Sequence, residues 1–117
     1  MDIRLKRVYE GPEKSDGVRV LVDRLWPRGV RKEEAGLDLW LKDIAPSSGL
    51  RKWFGHDPAK WDEFVERYRR ELAESDALVQ QLAGLAKKGR LTLVFSARDT
   101  ERNNAVVLRS YLQEVKS

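Results

Sequence analysis

Two short, largely apolar runs, each followed at once by charged and amide residues, dominate the polarity pattern of this chain. The runs span residues 18–22 and 91–95. Both are rich in valine, leucine or phenylalanine, which is typical of strands buried on both faces of a sheet. Ligand clefts in open α/β sheets lie beyond the carboxyl ends of such strands. The pattern therefore predicts a site formed by the residues that follow the two runs.

The rest of the pattern predicts one further strand and several helices. Alternating polarity over residues 3–9 predicts a half-exposed strand at or near a sheet edge, followed by a turn-rich loop over residues 10–17. That loop is short for a crossover between parallel strands, so the relative direction of the first two strands stays open. Apolar residues at helical spacing predict a helix over residues 37–45, ended by Pro46, and a further short turn that Ser47 or Ser48 caps and Gly55 stops. The same spacing predicts a helix that Asp57-Pro58 opens and that extends through Leu72, a helix that starts at Ser75 or Asp76 and closes at 87–89, and a last helix from Asp99 or Thr100.

This order of elements predicts a fold class. Strands followed by helices, then a strand and a final helix, indicate an α/β protein with a small, mostly parallel sheet of about three strands and helices packed against it. The 117 residues suit one hydrophobic core, so we expect a single domain over residues 1–117. The sequence indicates no oligomeric state.

Composition and charge narrow the function classes. The chain has 23 basic and 19 acidic residues and a formal net charge of +4, which favours a small anionic ligand over an extended nucleic-acid footprint. No apolar stretch approaches the roughly 20 residues that span a bilayer, so we expect no membrane association. The chain has no cysteine, which excludes disulfides, thiolate metal sites and cysteine nucleophiles. We expect a cytoplasmic protein without a cofactor.

The loop after the first run offers basic side chains for an anion. Asp23 and Arg24 stand where the strand ends, and Arg28 follows a Trp-Pro turn. A guanidinium group held at a strand end binds phosphate or carboxylate through two parallel hydrogen bonds. The alternative is that Asp23 pairs with one of these arginines and only braces the loop.

The segment after the second run offers hydroxyl, amide and guanidinium groups ahead of a helix. The free N–H groups of a helix start attract anions, and Arg98 lies just before this one. Asp99 is interpreted as a helix cap rather than as a catalytic group. Asn103 and Asn104 are poor helix formers, so their position favours a role in the site for at least one of them.

His56 and the tryptophans carry the remaining chemistry. His56 is the only histidine, which makes it the one candidate for proton transfer and leaves a metal site without ligands; an ordinary loop residue is the alternative. Trp40 and Trp61 are predicted to be core residues. Trp26 and Trp53 neighbour basic residues, where stacking on a base and cation–π contacts within the protein are equal alternatives.

Several long motifs resemble one family. The motifs RVLVDRLWPRG (residues 19–29), LWLK (39–42), IAPS (44–47) and WFGHDP (53–58), together with the ARDT and NAVVL segments near the end, closely resemble the YeaO-like family of uncharacterised bacterial proteins. The resemblance covers nearly the whole chain. It implies membership of a broader group of domains of unknown function, with no established activity.

One departure from that broader group bears on chemistry. The motifs of that group resemble this chain at the ends of both central strands. At the second strand end, however, the group carries a Cys-His-Arg triplet at the start of a helix, where this chain has Asn103-Asn104-Ala105. The change removes a thiol and an imidazole together. Amide groups still orient a ligand through hydrogen bonds, so the departure favours binding over nucleophilic catalysis.

Three hypotheses follow from the sequence. The leading one is a cleft for a small phosphorylated or nucleotide-like anion, formed by Asp23, Arg24, Arg28, Arg98, Asn103 and Asn104, with Trp53 and His56 as its roof. The alternative is a nucleic-acid-binding module that uses Arg28, Arg31, Lys32, Arg51 and Lys52 on phosphates. The third is a protein-interaction module, which predicts an exposed apolar patch in place of a polar cleft. None of the three assigns a reaction.

Overall fold

The computed structural model describes residues 1–115. Its strands are β1 (Ile3–Arg7), β2 (Val18–Leu21), β3 (Leu39–Trp40) and β4 (Leu91–Phe95). Its α-helices are α1 (Lys32–Ala35), α2 (Ser48–Phe54), α3 (Trp61–Glu74), α4 (Asp76–Lys88) and α5 (Asn104–Glu114). The α/β class predicted from the sequence is confirmed.

The four strands form one parallel sheet in the order β1-β4-β2-β3. Strands β2 and β4 occupy its centre, and every residue of β4 is buried, as the continuous apolar runs predict. Strand β1 is an edge strand, as its alternating pattern predicts. It pairs with β4 and not with β2, so the short loop between β1 and β2 spans the intervening strand.

The fourth strand, β3, replaces a predicted helix. The expectation of a helix over residues 37–45 is wrong, because these residues form β3 and then a short 3-10 helix, Lys42–Ile44. The Leu41 N–H donates to the Leu21 carbonyl at 3.0 Å, which gives β2 the ladder partner that its outer edge requires. Leu37, Leu39 and Leu41 are partly buried and alternate with exposed neighbours, so the period of two outweighs the helical spacing.

Helices α2, α3 and α4 match the predictions. The Ser47 hydroxyl accepts a hydrogen bond from the Leu50 N–H at 3.2 Å, and Gly55 ends α2 in the left-handed conformation. The Asp57 carboxylate accepts from the Ala59 N–H at 3.0 Å and opens the turn that leads into α3. Among residues 1–115, no helix combines the length and the apolarity that a membrane crossing requires.

The last helix begins later than predicted. Asn103 is the N-cap of α5, and its side chain accepts a hydrogen bond from the Val106 N–H at 3.0 Å. Asp99, the predicted cap, instead accepts from the N–H groups of Glu101 and Arg102 in the preceding turn. Two residues with capping side chains stand four apart, and the later one caps α5, which packs against β1 and β4.

The segment between β3 and α2 is anchored to α3. The buried Tyr68 hydroxyl donates to the Ile44 carbonyl at 2.7 Å. The Glu71 carboxylate accepts from the Ser47 N–H at 2.8 Å and from its hydroxyl at 2.6 Å. These bonds fix residues 44–47 beside the carboxyl end of β2, and Ala45 and Pro46 of this segment line the cleft described next.

Candidate functional site

A cleft of about 690 Å³ opens beyond the carboxyl ends of β2 and β4. This volume lies in the range of small-molecule sites, and the place is the one that the sheet topology favours. Its walls come from the loops after the two strands, from the segment before α2, from α2 and α3, and from the start of α5. The predicted site residues that line it are Asp23, Arg24, Arg28, His56, Arg98, Asn103 and Asn104.

Asp23 joins the two strand ends at the bottom of the site. Its Oδ2 accepts hydrogen bonds from the Ser96 N–H at 2.9 Å and from the Ser96 hydroxyl at 2.8 Å. Its Oδ1 accepts from Asn104 Nδ2 at 3.2 Å. The sequence alternative, in which Asp23 pairs with an arginine, is wrong for the residues described, because all three donors are neutral.

The pKa of Asp23 is raised above its ordinary value of 3.8, and burial is the main cause. The hydrogen bonds from Ser96 and Asn104 and the field of His56 act in the opposite direction but do not outweigh the burial. A carboxylate with neutral partners in a cleft is thus less well solvated than it is in water.

The two asparagines serve different purposes. The Asn103 side chain is buried: it caps α5 and also donates to the Asp99 carbonyl at 2.9 Å, so its polar atoms are engaged within the protein. The Asn104 side chain is partly exposed and donates from Nδ2 to the Val22 carbonyl at 3.0 Å as well as to Asp23. Of the pair, only Asn104 is partly exposed and has a side-chain oxygen that accepts no hydrogen bond from residues 1–115.

The arginines of the cleft also differ. Arg24 is partly buried and donates to the carbonyls of Pro46 and Ala45 at 3.3 Å each, with Asp43 at 3.7 Å. Arg28 and Arg98 are exposed, and neither forms an ion pair with any residue from 1 to 115. Arg24 therefore shapes the wall, whereas the other two carry charge that the described protein does not neutralise.

Residues at the end of β1 hold the loops that carry these arginines. Arg7 donates from Nε to the Ala97 carbonyl at 2.9 Å and from its terminal nitrogen to the Ser96 carbonyl at 3.2 Å. The Arg7 guanidinium also lies 4.9 Å from the centre of the Tyr9 ring, and the Tyr9 hydroxyl donates to the Arg28 carbonyl at 3.0 Å. One chain of contacts thus positions both loops.

His56 lines the cleft in a strained conformation. Its backbone φ is +57°, a value that residues other than glycine rarely adopt. The preceding residue, Gly55, is also in the left-handed conformation. The imidazole is exposed and lies 6.2 Å from the Phe54 ring, measured between ring centres. Backbone strain of this kind is concentrated at functional sites, so the geometry keeps His56 among the candidates.

Trp53 does not belong to the lining, which corrects its predicted place in the roof. The Arg67 guanidinium lies 4.3 Å from its ring centre and the Lys60 ammonium 5.2 Å, so cation–π contacts within the protein occupy this side chain. Trp40, predicted to be core, is 37% exposed. Its indole N–H donates to the Asp23 carbonyl at 2.7 Å and its ring packs edge-on against Trp26. Trp26 itself lines the cleft.

Arg51 also lines the cleft, although the sequence analysis included it only in the nucleic-acid-binding alternative. It lies one helical turn before Phe54 on α2, and that spacing is the signal that places both side chains on the same face. Phe54 and Phe64 stack with ring centres 4.3 Å apart and give the cleft an aromatic wall. Within residues 1–115, no three histidine, cysteine or acidic side chains are grouped as a metal ion requires.

Comparison with known proteins identifies the family. The sequence profile described as the inactive DUF488-N3 subclade matches residues 2–116. The chain belongs to this family. It is 47% identical over 115 residues to the uncharacterized protein YeaO of Escherichia coli, covering 98% of this chain and all of that protein. It is 44% identical over 110 residues to the uncharacterized protein Rv3073c of Mycobacterium tuberculosis, covering 94% and 92% of the two chains. No solved structure matches the chain significantly. The YeaO-like resemblance is confirmed.

Proposed function

We propose that the cleft binds a small anionic molecule, phosphorylated or nucleotide-like, in the cytoplasm. The observation that carries this proposal is the grouping of Arg28, Arg51 and Arg98 around one cleft at the carboxyl ends of the central strands. All three side chains are exposed, and none pairs with a carboxylate among the residues described. Guanidinium groups bind phosphate and carboxylate in a bidentate manner, so these arginines suit an anion.

The acidic groups of the lining do not cancel this charge. Four arginines and two aspartates line the cleft. Asp99 is engaged by two backbone N–H groups and lies 3.5 Å from Arg102, and these hydrogen bonds hold its pKa below the ordinary value. Asp23 is bonded on both oxygens by Ser96 and Asn104. The four guanidinium groups outnumber the two carboxyl groups, so the lining has an excess of positive charge, which favours an anion.

The site supports binding better than turnover. The Cys-His-Arg triplet of the broader group would fall on Asn103-Asn104-Ala105, at the N-terminus of α5 beside Asp23. Neither a thiol nor an imidazole stands there in this chain. The description of the family as an inactive subclade agrees with a protein that keeps the cleft and lacks nucleophilic chemistry.

Nucleic-acid binding is the second candidate. Arg31, Lys32 and Lys52 are exposed, as is Arg51, which would let a phosphate backbone continue from the cleft across the surface. Against it, the Trp53 ring already has cation–π contacts with Arg67 and Lys60, which a stacking base would have to replace. Binding of this kind must weaken steeply with salt, because each neutralised phosphate releases counterions.

A thermal-shift screen of phosphorylated metabolites tests the proposal. A compound present at a hundred times its dissociation constant stabilises the protein by about 2.7 kcal/mol, which raises Tm by roughly 10 °C for a chain of this size. We expect at least one phosphate monoester to do so with the wild type. The same compound should give less than half of that shift with Arg28→Ala.

The matched control is Arg70→Ala. Arg70 is an exposed arginine of α3 outside the cleft lining, so its removal changes the net charge equally and the cleft not at all. If both variants lose the shift to the same extent, the effect comes from overall charge, and the cleft is not the site. The second candidate would be favoured if the protein binds single-stranded or duplex oligonucleotides tightly, if salt abolishes that binding, and if no metabolite shifts Tm.

A further inference from the structure

Two side-chain oxygens at the bottom of the cleft have capacity for further hydrogen bonds. Building on the proposed function, we propose that the ligand is a phosphate ester whose organic part carries hydroxyl or amino groups, and that Asp23 Oδ1 and Asn104 Oδ1 accept hydrogen bonds from those groups. The arginines bind the anionic end, and the two oxygens select the rest of the molecule.

Counting hydrogen bonds on Asp23 shows where the free capacity lies. Each carboxylate oxygen accepts about two hydrogen bonds. Oδ2 is saturated by the N–H and hydroxyl of Ser96, at 2.9 and 2.8 Å. Oδ1 receives a single bond, from Asn104 Nδ2 at 3.2 Å. One acceptor position therefore remains on Oδ1.

The orientation of the Asn104 amide is fixed by its surroundings. Its Nδ2 faces two acceptors, the Val22 carbonyl and Asp23 Oδ1, so the nitrogen and not the oxygen must point there. The amide oxygen is then directed away from both groups. It accepts no hydrogen bond from any residue between 1 and 115, and the Asn104 side chain lines the cleft.

The size and lining of the cleft indicate an organic ligand. A volume of about 690 Å³ is much larger than an inorganic phosphate ion needs and lies in the range of organic ligands. Apolar side chains, among them Phe54 and Phe64, form part of its wall and suit a carbon skeleton. An ion alone would leave that wall and the two acceptors without partners.

The environment of Asp23 adds a driving force. Burial raises its pKa, because the ionised form lacks the hydrogen bonds that water would supply. Asp23 Oδ1 already accepts one hydrogen bond, from Asn104, and a ligand hydroxyl or amine would supply the second that this oxygen can accept. A ligand that brings no donor would cover Asp23 without compensation. The site should therefore discriminate between esters that differ only in their hydroxyl groups.

Calorimetric titration of matched phosphate esters tests this inference. Glycerol phosphate and propyl phosphate share a three-carbon skeleton and the phosphate charge, and adenosine monophosphate and its dideoxy analogue share a base. We expect at least one hydroxylated member to bind the wild type about tenfold more tightly than its matched partner. In Asp23→Asn the ratio should fall to less than about threefold, with the affinity of the partner unchanged or higher because a negative charge is gone.

Two further variants separate positioning from contact. Asn104→Ala removes the second acceptor and should also reduce the ratio. Ser96→Ala removes only the hydroxyl donor to Oδ2 and should largely retain it, provided that circular dichroism shows a native fold. Equal binding of the matched esters by the wild type contradicts the inference without any variant, and if Asp23→Asn does not fold, the ratio in Asn104→Ala tests which residues select the ester.

The outcomes distinguish this inference from the function on which it rests. If both members of each pair bind with equal affinity and Arg28→Ala weakens both, the anion site stands and the selection by Asp23 and Asn104 is wrong. If no ester of either pair binds at millimolar concentration, the proposed function fails as well, and this inference fails with it.

Discussion

Two aspartates flank the same central strand, and their carboxyl groups have pKa values shifted in opposite directions. Asp16 lies just before β2 and Asp23 just after it. Burial acts to raise the pKa of both carboxyl groups, but the net shift differs. In Asp16 it is outweighed by the hydrogen bond from the Glu13 N–H and by Lys6 and Arg19, so the pKa lies below its ordinary value. In Asp23 it is not outweighed, and the pKa lies above that value.

The difference is the charge of the partners. Asp16 accepts from Arg19 at 2.6 Å and from Lys6 at 3.1 Å, and the Arg19 guanidinium also donates to the carbonyls of Ala35 and Gly36. Every group in this cluster is satisfied by another part of the fold. Around Asp23 the donors are neutral, and the nearby arginines are directed to carbonyls or to solvent. Charge satisfied by the protein stabilises it, whereas charge left unsatisfied in a cleft is available to a ligand.

The largest effect should come from Asp16. Asp16→Asn leaves the buried Arg19 and the largely buried Lys6 without their shared counter-ion, and we expect the free energy of unfolding to fall by about 3 kcal/mol. Urea denaturation measures it. The control is Glu13→Gln, which breaks the contact of Lys6 with a carboxylate that is 66% exposed and should cost less than about 1 kcal/mol. Equal losses in the two variants would mean that the Asp16 cluster is not the buried ion network described.

Asn103 should behave as a structural residue although it lies on the cleft side. Asn103→Ala removes the N-cap of α5 and should cost about 1–2 kcal/mol of stability, while the affinity for any cleft ligand, measured below Tm, changes less than twofold. Asn103→Ser restores a capping oxygen and should recover part of the loss. A variant of normal stability that no longer binds would contradict this assignment and return Asn103 to the ligand site.

The smallest effect is in the pH dependence of stability. Because the pKa of Asp16 is lowered on folding, its contribution is present above pH 3.8 and is lost as the pH falls through the folded pKa. Because the pKa of Asp23 is raised, stability instead decreases as the pH rises from 3.8 through its folded pKa. Urea titrations at a series of pH values give the free energy of unfolding as a function of pH. Asp16→Asn should reduce the loss of stability below pH 3.8, and Asp23→Asn should reduce the loss just above pH 3.8. The same change in both variants would remove the contrast.

The sequence predicts the central part of the fold and the place of the site because both depend on local patterns. The apolar runs of β2 and β4 and their polar endings suffice to predict buried strands and the position of the cleft. The sequence does not favour strand β3 over a helix, because Leu37 and Leu41 fit both periods and the pairing with the edge of β2 decides between them. The cation–π contact of Trp53 is with Arg67, fourteen positions away, and no local sequence pattern predicts a contact at that distance.

We propose that the anion binds at the Asp23 end of β2 and not at the Asp16 end. Titration of the ¹⁵N-labelled protein with glycerol phosphate or adenosine monophosphate, followed by amide chemical shifts, tests it most directly. We predict saturable shifts for the amides of residues 23–26, 28, 96–99 and 104, with the amides of Asp16 and Arg19 unmoved. Shifts spread over Arg31, Lys32 and Lys52 that vanish with salt, or no shifts at millimolar ester, would contradict the account.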